Sequence, residues 1–112
     1  MEAVTLNEST PPVDREQTGP AQPLSNTEVD RALGDIHGWR REEGGIRKRF
    51  RRAGFRDAIA FVNTIADLAE AAGHHPDIDI RWRNVIVYLT THEAGGVTQL
   101  DLDLARKIEN LD

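Results

Sequence analysis

The chain contains no cysteine. Disulfide bridges, a thiolate nucleophile and zinc sites built on sulfur are therefore excluded, and the composition fits a reducing compartment. Long apolar runs are also absent, which argues against a transmembrane helix, and the polar, acidic N-terminal stretch lacks the features of a secretory signal. We expect a cytoplasmic protein with no membrane partner.

Signatures of nucleotide and cofactor sites are missing as well. The sequence has no glycine-rich phosphate loop, dinucleotide fingerprint or nucleophile elbow, and no internal repeat. Its 112 residues suffice for one compact domain with a small core. Because a domain of this size is only marginally stable alone, we expect it to form oligomers.

Positive charge is concentrated in one part of an acidic chain. The formal net charge is −5, yet eight of the fourteen Lys and Arg residues lie between Arg40 and Arg56. Such a strip is compatible with nucleic-acid binding or with a solvated strand face that nearby acids balance. The acidity of the whole chain favours the solvated face, so we expect no nucleic-acid partner.

Proline marks the boundary of the folded part. Four of the five prolines fall in residues 1–23, where large apolar side chains are few. This segment cannot bury enough surface to offset the entropy of ordering it, so it is predicted to be a disordered tail. The folded domain is predicted at residues 24–112.

Two helices are predicted in the first part of this domain. Ser25 and Glu28 have the spacing of a capping box and begin a short helix that ends at residues 34–38. Between residues 57 and 72 apolar side chains recur at steps of three and four, and Gly73 supplies a left-handed stop. The apolar stripe of this long helix consists of Ala58, Phe61, Val62, Ile65, Leu68, Ala69 and Ala72.

A hairpin is predicted on either side of the long helix. Strands at residues 39–43 and 46–52 flank a Gly-Gly pair, which accepts the positive φ angles of a tight turn. A second pair of strands, at residues 78–82 and 85–91, is joined by the two residues between them. The half-buried face of the third strand carries Ile78, Ile80 and Trp82.

A last helix completes the pattern. Thr98 and Asp101 have the spacing of a helix start. The apolar stripe behind them consists of Leu100, Leu104, Ile108 and Leu111. The element order is then α-β-β-α-β-β-α, which predicts an α+β fold with an antiparallel sheet covered by helices on one face.

Three of the four histidines, His74, His75 and His92, fall at the ends of the second hairpin. If its strands pair, the start of one neighbours the end of the other, and the three imidazoles meet at one edge of the sheet. Imidazole ionises near neutral pH, so the cluster could supply both a proton donor and a proton acceptor. A polar turn and a metal site completed by Glu70 or Asp79 stay open. The metal is disfavoured because adjacent side chains on an extended chain point to opposite sides.

The same stretch resembles the signature of the pterin-4a-carbinolamine dehydratases. Its elements, at matching spacing, are Glu70, His74-His75-Pro76, Trp82, His92 and Asp101. The resemblance extends over residues 24–111 and includes the segments LSNTEV, FRDAIAFV, HHPDI and LTTHEAGGVTQLD. It implies a four-stranded antiparallel sheet with three helices on one face, assembled as a homodimer or homotetramer.

The resemblance also implies an active site without metal or cofactor. The catalytic residues would be His74, His75 and His92. The pocket for the pterin would be lined by Pro76, Thr91, Glu93 and Ala94.

Three further positions take their meaning from the resemblance. Glu70 and Asp101 match acidic positions of the signature, where they would orient an imidazole. For Asp101, capping a helix at its N-terminal dipole is an equally good interpretation. Arg52 stands at a position that is often aromatic in relatives, which bears on packing and assembly rather than on the histidines.

The implied reaction is that of a hydro-lyase in tetrahydropterin recycling. Loss of water from a 4a-hydroxytetrahydropterin gives a quinonoid dihydropterin, and needs a proton at the leaving hydroxyl and a base for the ring nitrogen. Our hypothesis assigns His74 and His92 to proton transfer at the hydroxyl, and His75 to binding and deprotonating the ring. The alternative is a protein-binding or assembly role in which the histidines are dispensable.

Overall fold

The computed structural model describes residues 22–111, so the predicted tail at residues 1–23 lies outside the described part except for its last two residues. The described chain forms three α-helices, four β-strands and a short 3₁₀ turn. In chain order these are α1 (Asn26–Leu33), β1 (Arg40–Glu42), β2 (Gly45–Arg51), α2 (Phe55–Ala72), β3 (Asp77–Arg81), β4 (Asn84–Leu89), the 3₁₀ turn (His92–Ala94) and α3 (Gln99–Glu109). The predicted element order is confirmed.

The four strands form one antiparallel sheet in the order β1-β2-β4-β3. On one face, Ile46 and Phe50 of β2 and Val85, Val87 and Leu89 of β4 are buried and belong to a core shared with the helices. The alternate residues of β4 lie on the open face. The predicted α+β fold with helices on one face of the sheet is therefore confirmed. None of the helices within residues 22–111 is long and apolar enough to cross a membrane.

Helix α2 ends directly before His74 and His75 in the chain. Its buried residues are Ala58, Phe61, Ile65 and Ala69, all members of the predicted stripe. The helix ends at Gly73, whose φ of 64° is the left-handed conformation that glycine adopts without strain. The backbone N–H of His74 then donates to the carbonyl of Ala69 at 3.1 Å, which ties the first histidine to the last turn of the helix.

Arg52 covers the start of α2. Its guanidinium carbon lies 4.3 Å from the centroid of the Phe61 ring, so a cation occupies the place where the resemblance implies an aromatic side chain. The backbone N–H of Ala53 and the guanidinium of Arg52 both donate to the Asp57 carboxylate. These hydrogen bonds lower the pKa of Asp57 from its usual value.

Both hairpin turns lie one residue earlier than predicted. Glu42 pairs with Gly45, so the first turn consists of Glu43 and Gly44, at φ 47° and 79°. In the second hairpin Arg81 pairs with Asn84, which leaves two residues for the turn.

Trp82 therefore lies in a turn and outside the buried face to which the sequence assigned it. Its φ is 57°, its side chain is 65% exposed, and the guanidinium carbon of Arg83 lies 4.7 Å from its ring centroid. The reason is register: Ile78 pairs with Val87 and Ile80 with Val85, which aligns the buried faces of β3 and β4. Only the two residues after Arg81 then remain for the connection.

Gly45→Ala is expected to lower the free energy of unfolding by about 2–3 kcal/mol, because the neighbouring strand leaves no room for a side chain at position 45. A Cβ at this position would lie 2.6 Å from the carbonyl oxygen of Leu89 and still closer to the Tyr88 ring. The measurement is urea denaturation. Gly54→Ala is the control, because a Cβ there meets nothing within 4 Å, and it should cost less than about 1 kcal/mol. Equal costs for the two variants would contradict this account of Gly45.

Helix α3 starts as predicted, and its predicted apolar stripe is confirmed at Leu104 and Ile108 but wrong at Leu100. Thr98 and Asp101 form a capping box, each side chain accepting from the other's backbone N–H. Leu100, predicted to be in the core, is 48% exposed, and Leu102, which the prediction omitted, is buried. In the first turn of the helix the buried positions are Asp101 and Leu102, because the Asp101 carboxylate is directed inward to Thr91 and His74.

The basic strip divides between the two faces of the sheet. On the open face Arg47 lies 3.5 Å from Glu42, and Arg81 lies 3.1 Å from Asp79. A groove of about 590 Å³ on this face is lined mainly by arginines of three strands, together with Asp79. These contacts agree with a solvated face balanced by acids.

Lys48 lies on the covered face of the sheet, opposite the buried Val87. Its Nζ is 2.6 Å from Glu109 Oε2 and 2.7 Å from the carbonyl oxygen of His37. Trp39 Nε1 donates to the other oxygen of Glu109 at 3.0 Å. This cluster joins β2 to the last turn of α3, the helix that also bears Asp101.

Candidate active site

His74 occupies the junction between α2 and β3 and points toward α3. Its Nε2 lies 2.5 Å from Oδ1 of Asp101. The imidazole is 11% exposed, whereas the Asp101 carboxylate is completely shielded from solvent. A buried carboxylate therefore holds one nitrogen of a ring that still reaches the surface.

Every oxygen of the buried Asp101 carboxylate has a partner. The Thr98 backbone N–H donates to Oδ2 at 2.9 Å, and the Thr91 hydroxyl donates to the same oxygen at 2.8 Å. His74 contacts Oδ1. Three hydrogen bonds to one carboxylate offset the cost of removing its charge from water.

This arrangement fixes which nitrogen of His74 carries its proton. A carboxylate only accepts hydrogen bonds, so Nε2 of His74 must donate to Asp101. In the neutral ring Nδ1 then carries the lone pair, and it has no hydrogen-bond partner within residues 22–111. If the ring takes up a second proton at Nδ1, the Asp101 charge stabilises the resulting imidazolium.

His75 points to a different partner from its neighbour. Its Nε2 lies 2.5 Å from Oε2 of Glu70, in the last turns of α2. Both side chains are exposed, the imidazole to 63% and the carboxylate to 76%, so solvent screens their attraction. As in the His74 pair, the carboxylate holds Nε2 and leaves Nδ1 for other contacts.

His92 lies in the 3₁₀ turn that follows β4. Thr91 closes this loop, because its N–H donates to the Gly96 carbonyl at 3.0 Å and its carbonyl accepts from Ala94 and Gly95 at 3.1 and 3.0 Å. His92 and Glu93 are exposed, and Ala94 is half-buried. His92 thus directly follows the residue whose hydroxyl contacts Asp101, although no hydrogen bond joins two imidazoles in the described part of the chain.

The topology brings these segments to one end of the second hairpin, as the sequence predicted. Asp77 at the start of β3 pairs with Tyr88 near the end of β4. Pro76, which is half-buried, directly precedes that pair. The chain between Gly73 and β3 therefore lies beside the loop that follows β4.

Sequence reasoning paired Thr98 with Asp101 as a helix start but gave Thr98 no place in the candidate site. The spacing of Thr98 and Asp101 indicates a helix start, and both residues do form one. Nothing in that spacing reveals that the free oxygen of the same carboxylate contacts a histidine 27 positions earlier in the chain.

The described residues contain no group of three or more His, Cys, Asp or Glu side chains arranged to hold a metal ion. His74 and His75 contact separate carboxylates. Asp79, offered as a metal ligand above, pairs with Arg81 on the open face of the sheet.

Proteins with a similar sequence are named after one enzyme family. A protein of Roseiflexus sp. strain RS-1 named "Putative pterin-4-alpha-carbinolamine dehydratase" is 58% identical over 88 residues, which is 79% of this chain and 95% of the relative. A protein of the same name from Mycobacterium avium strain 104 is 46% identical over 88 residues, or 79% of this chain and 94% of the relative.

Two solved structures share the fold. The crystal structure of a "transcriptional coactivator/pterin dehydratase" from Brucella melitensis has a TM-score of 0.77 and 33% identity, and the match covers 80% of this chain and 98% of that one. A "pterin dehydratase-like protein", described as a RuBisCO assembly factor in the alpha-carboxysome, has a TM-score of 0.57 and 25% identity over 68% of this chain and 90% of its own.

The sequence model of one family matches the whole of the described chain. Its description is "Pterin 4 alpha carbinolamine dehydratase", and it covers residues 22–111. This range includes every helix and strand and all the residues of the candidate site. The chain therefore belongs to the pterin 4 alpha carbinolamine dehydratase family.

Proposed function

We propose that the protein is a hydro-lyase that removes water from a 4a-hydroxytetrahydropterin, with histidines as general acid and base and with no metal or cofactor. The observation that carries the proposal is the pair of His74 and Asp101. A buried carboxylate fixes one ring nitrogen and stabilises a proton on the other, which is how an imidazole is prepared for proton transfer. The pterin substrate follows from family membership.

The reaction needs two proton transfers and no change of oxidation state. The C4a–O bond breaks as the hydroxyl receives a proton and leaves as water. The adjacent ring nitrogen loses its proton to a base, and its electron pair forms the double bond of the quinonoid dihydropterin. We assign the proton for the hydroxyl to Nδ1 of His74, assisted by His92, because the Asp101 charge stabilises the protonated His74 ring.

His75 is assigned to the pterin ring. Glu70 holds its Nε2, so its Nδ1 can accept the proton from the ring nitrogen, and the exposed imidazole can return that proton to water. Pro76, Glu93 and Ala94 adjoin His75 and His92 in the chain and are assigned to the walls of the pterin pocket.

The test is the rate of 4a-hydroxytetrahydropterin dehydration, followed by absorbance, for the wild type and His75→Ala. We expect the wild type to accelerate the reaction and the variant to lose about 10²–10⁴-fold of that rate, which is the usual contribution of a positioned acid or base. His37→Ala is the matched control, because His37 is exposed and lies outside the site. A folded wild type that gives no acceleration would refute the proposal.

A protein-binding role is the second candidate, favoured by the two solved structures described as a coactivator/dehydratase and as an assembly factor. On this alternative the histidines are dispensable, so His74, His75 and His92 could be replaced together without loss of biological function.

We also propose a cytoplasmic homodimer or homotetramer with no nucleic-acid partner. The exposed Phe55 and Ile59 on α2 support a subunit contact, since apolar side chains are enriched in such interfaces.

A further inference from the structure

We propose that Thr91 is a positioning residue that acts on the reaction through Asp101 and His74 and does not contact the pterin. The inference rests on the proposed function, since it concerns the same site. Its basis is the direction of the Thr91 side chain. The hydroxyl lies 2.8 Å from Oδ2 of Asp101 and 2.8 Å from the Thr98 hydroxyl, and the residue is only 5% exposed.

The hydrogen bonds in this cluster can run in only one direction. The Asp101 carboxylate accepts, so the Thr91 proton is directed to Oδ2. The oxygen of Thr91 is then left to accept the proton of the Thr98 hydroxyl, whose own oxygen accepts from the N–H of Leu100 at 3.3 Å. The chain of donors thus runs from Thr98 to Thr91 to Asp101.

This chain determines how the Asp101 carboxylate faces His74. With Oδ2 held by the Thr91 hydroxyl and the Thr98 N–H, only Oδ1 remains for the imidazole. Without the Thr91 hydroxyl, the carboxylate keeps a single donor on Oδ2, so its two oxygens are held less firmly in place. The His74 ring would still donate from Nε2, because either carboxylate oxygen only accepts, but the hydrogen bond from Nε2 to Asp101 would be weaker.

Thr91 also connects His92 to the same cluster. Its backbone N–H and carbonyl close the loop that carries His92, while its side chain holds the partner of His74. One residue therefore couples the placement of two histidines that lie on different segments of the chain. Because its side chain is turned inward, the outward contacts of the loop come from His92 and Glu93.

The experiment compares Thr91→Val with Thr91→Ser and with Thr90→Val. The first removes the hydroxyl at nearly constant shape, the second keeps it, and the third removes a hydroxyl that donates to Gly44 at 2.8 Å and does not reach Asp101. We expect Thr91→Val to lower kcat on the order of 10-fold with little change in KM, and the other two to stay within about twofold of the wild type. Thr91→Ala replaces Thr91→Val if the valine variant does not fold.

Nitrogen-15 NMR of the His74 ring supplies a readout that is independent of activity. The wild type should carry the neutral ring's proton on Nε2, with its signal shifted downfield by the hydrogen bond to Asp101. Thr91→Val should reduce this downfield shift, whereas Thr91→Ser and Thr90→Val should keep it. Unchanged spectra and kcat in Thr91→Val would overturn the inference, as would a rise in KM alone, which would indicate direct contact with the pterin. If the wild type shows no dehydration, the proposed function fails, and the spectra still decide what Thr91 does to His74.

Discussion

Asp101→Asn should lower kcat for dehydration by about 10²–10⁴-fold while the chain remains folded. The Thr91 hydroxyl and the Thr98 N–H both require an oxygen at the Oδ2 position. The amide NH₂ of the new side chain must then face Nε2 of His74 and donate to it. That ring is forced to carry its proton on Nδ1, and it loses the negative charge that stabilises its protonated form.

Asp103→Asn is the matched control for this variant. Asp103 lies on the same helix, is exposed, and within the described part of the chain forms its polar contacts with Gln99 and Arg106. We expect its kcat to equal that of the wild type. Circular dichroism should show both variants folded at the assay temperature, with Asp101→Asn less stable by about 1–3 kcal/mol because a buried charged hydrogen bond is lost. A folded Asp101→Asn with wild-type kcat would contradict the role given to His74.

The fold was predictable where local chemistry and periodicity agree. The stripe of α2 and its stop at Gly73, and the capping boxes at Ser25 and Thr98, depend only on residues within a few positions of one another. The turn positions were not predictable in this way, because pairing across the sheet decides them. Ile80 opposite Val85 leaves Trp82 in the turn, although its own strand pattern continues through it.

The site was predictable at the level of segments. Antiparallel pairing of β3 with β4 places the start of one beside the end of the other, which brings the segments that carry the three histidines to one end of the hairpin. The contacts within the site were not predictable, since Asp101 meets His74 through the packing of α3 against α2. Its two suggested roles, as a helix cap and as a partner of an imidazole, prove to use the two different oxygens of one carboxylate.

The double variant His74→Gln with His92→Ala should lose nearly all acceleration of dehydration. Glutamine is chosen at position 74 because its amide can still donate to the buried Asp101, whereas alanine would leave Oδ1 without its donor. Neither replacement can transfer a proton. If the two imidazoles serve the same leaving hydroxyl, the double variant should be little slower than the more damaging single variant, since residues that act as a unit are not additive.

The double variant His37→Ala with His74→Gln distinguishes a joint role of His74 and His92 from a general effect of removing two imidazoles. His37 is exposed, and within residues 22–111 its backbone carbonyl accepts from Lys48 while its imidazole has no hydrogen bond. We therefore expect His37→Ala with His74→Gln to dehydrate the substrate at the same rate as His74→Gln alone. If His74 and His92 had independent roles, the rate loss of their double variant would be the product of the two single losses. A fully active His74→Gln with His92→Ala would remove both residues from catalysis and contradict the roles proposed for them.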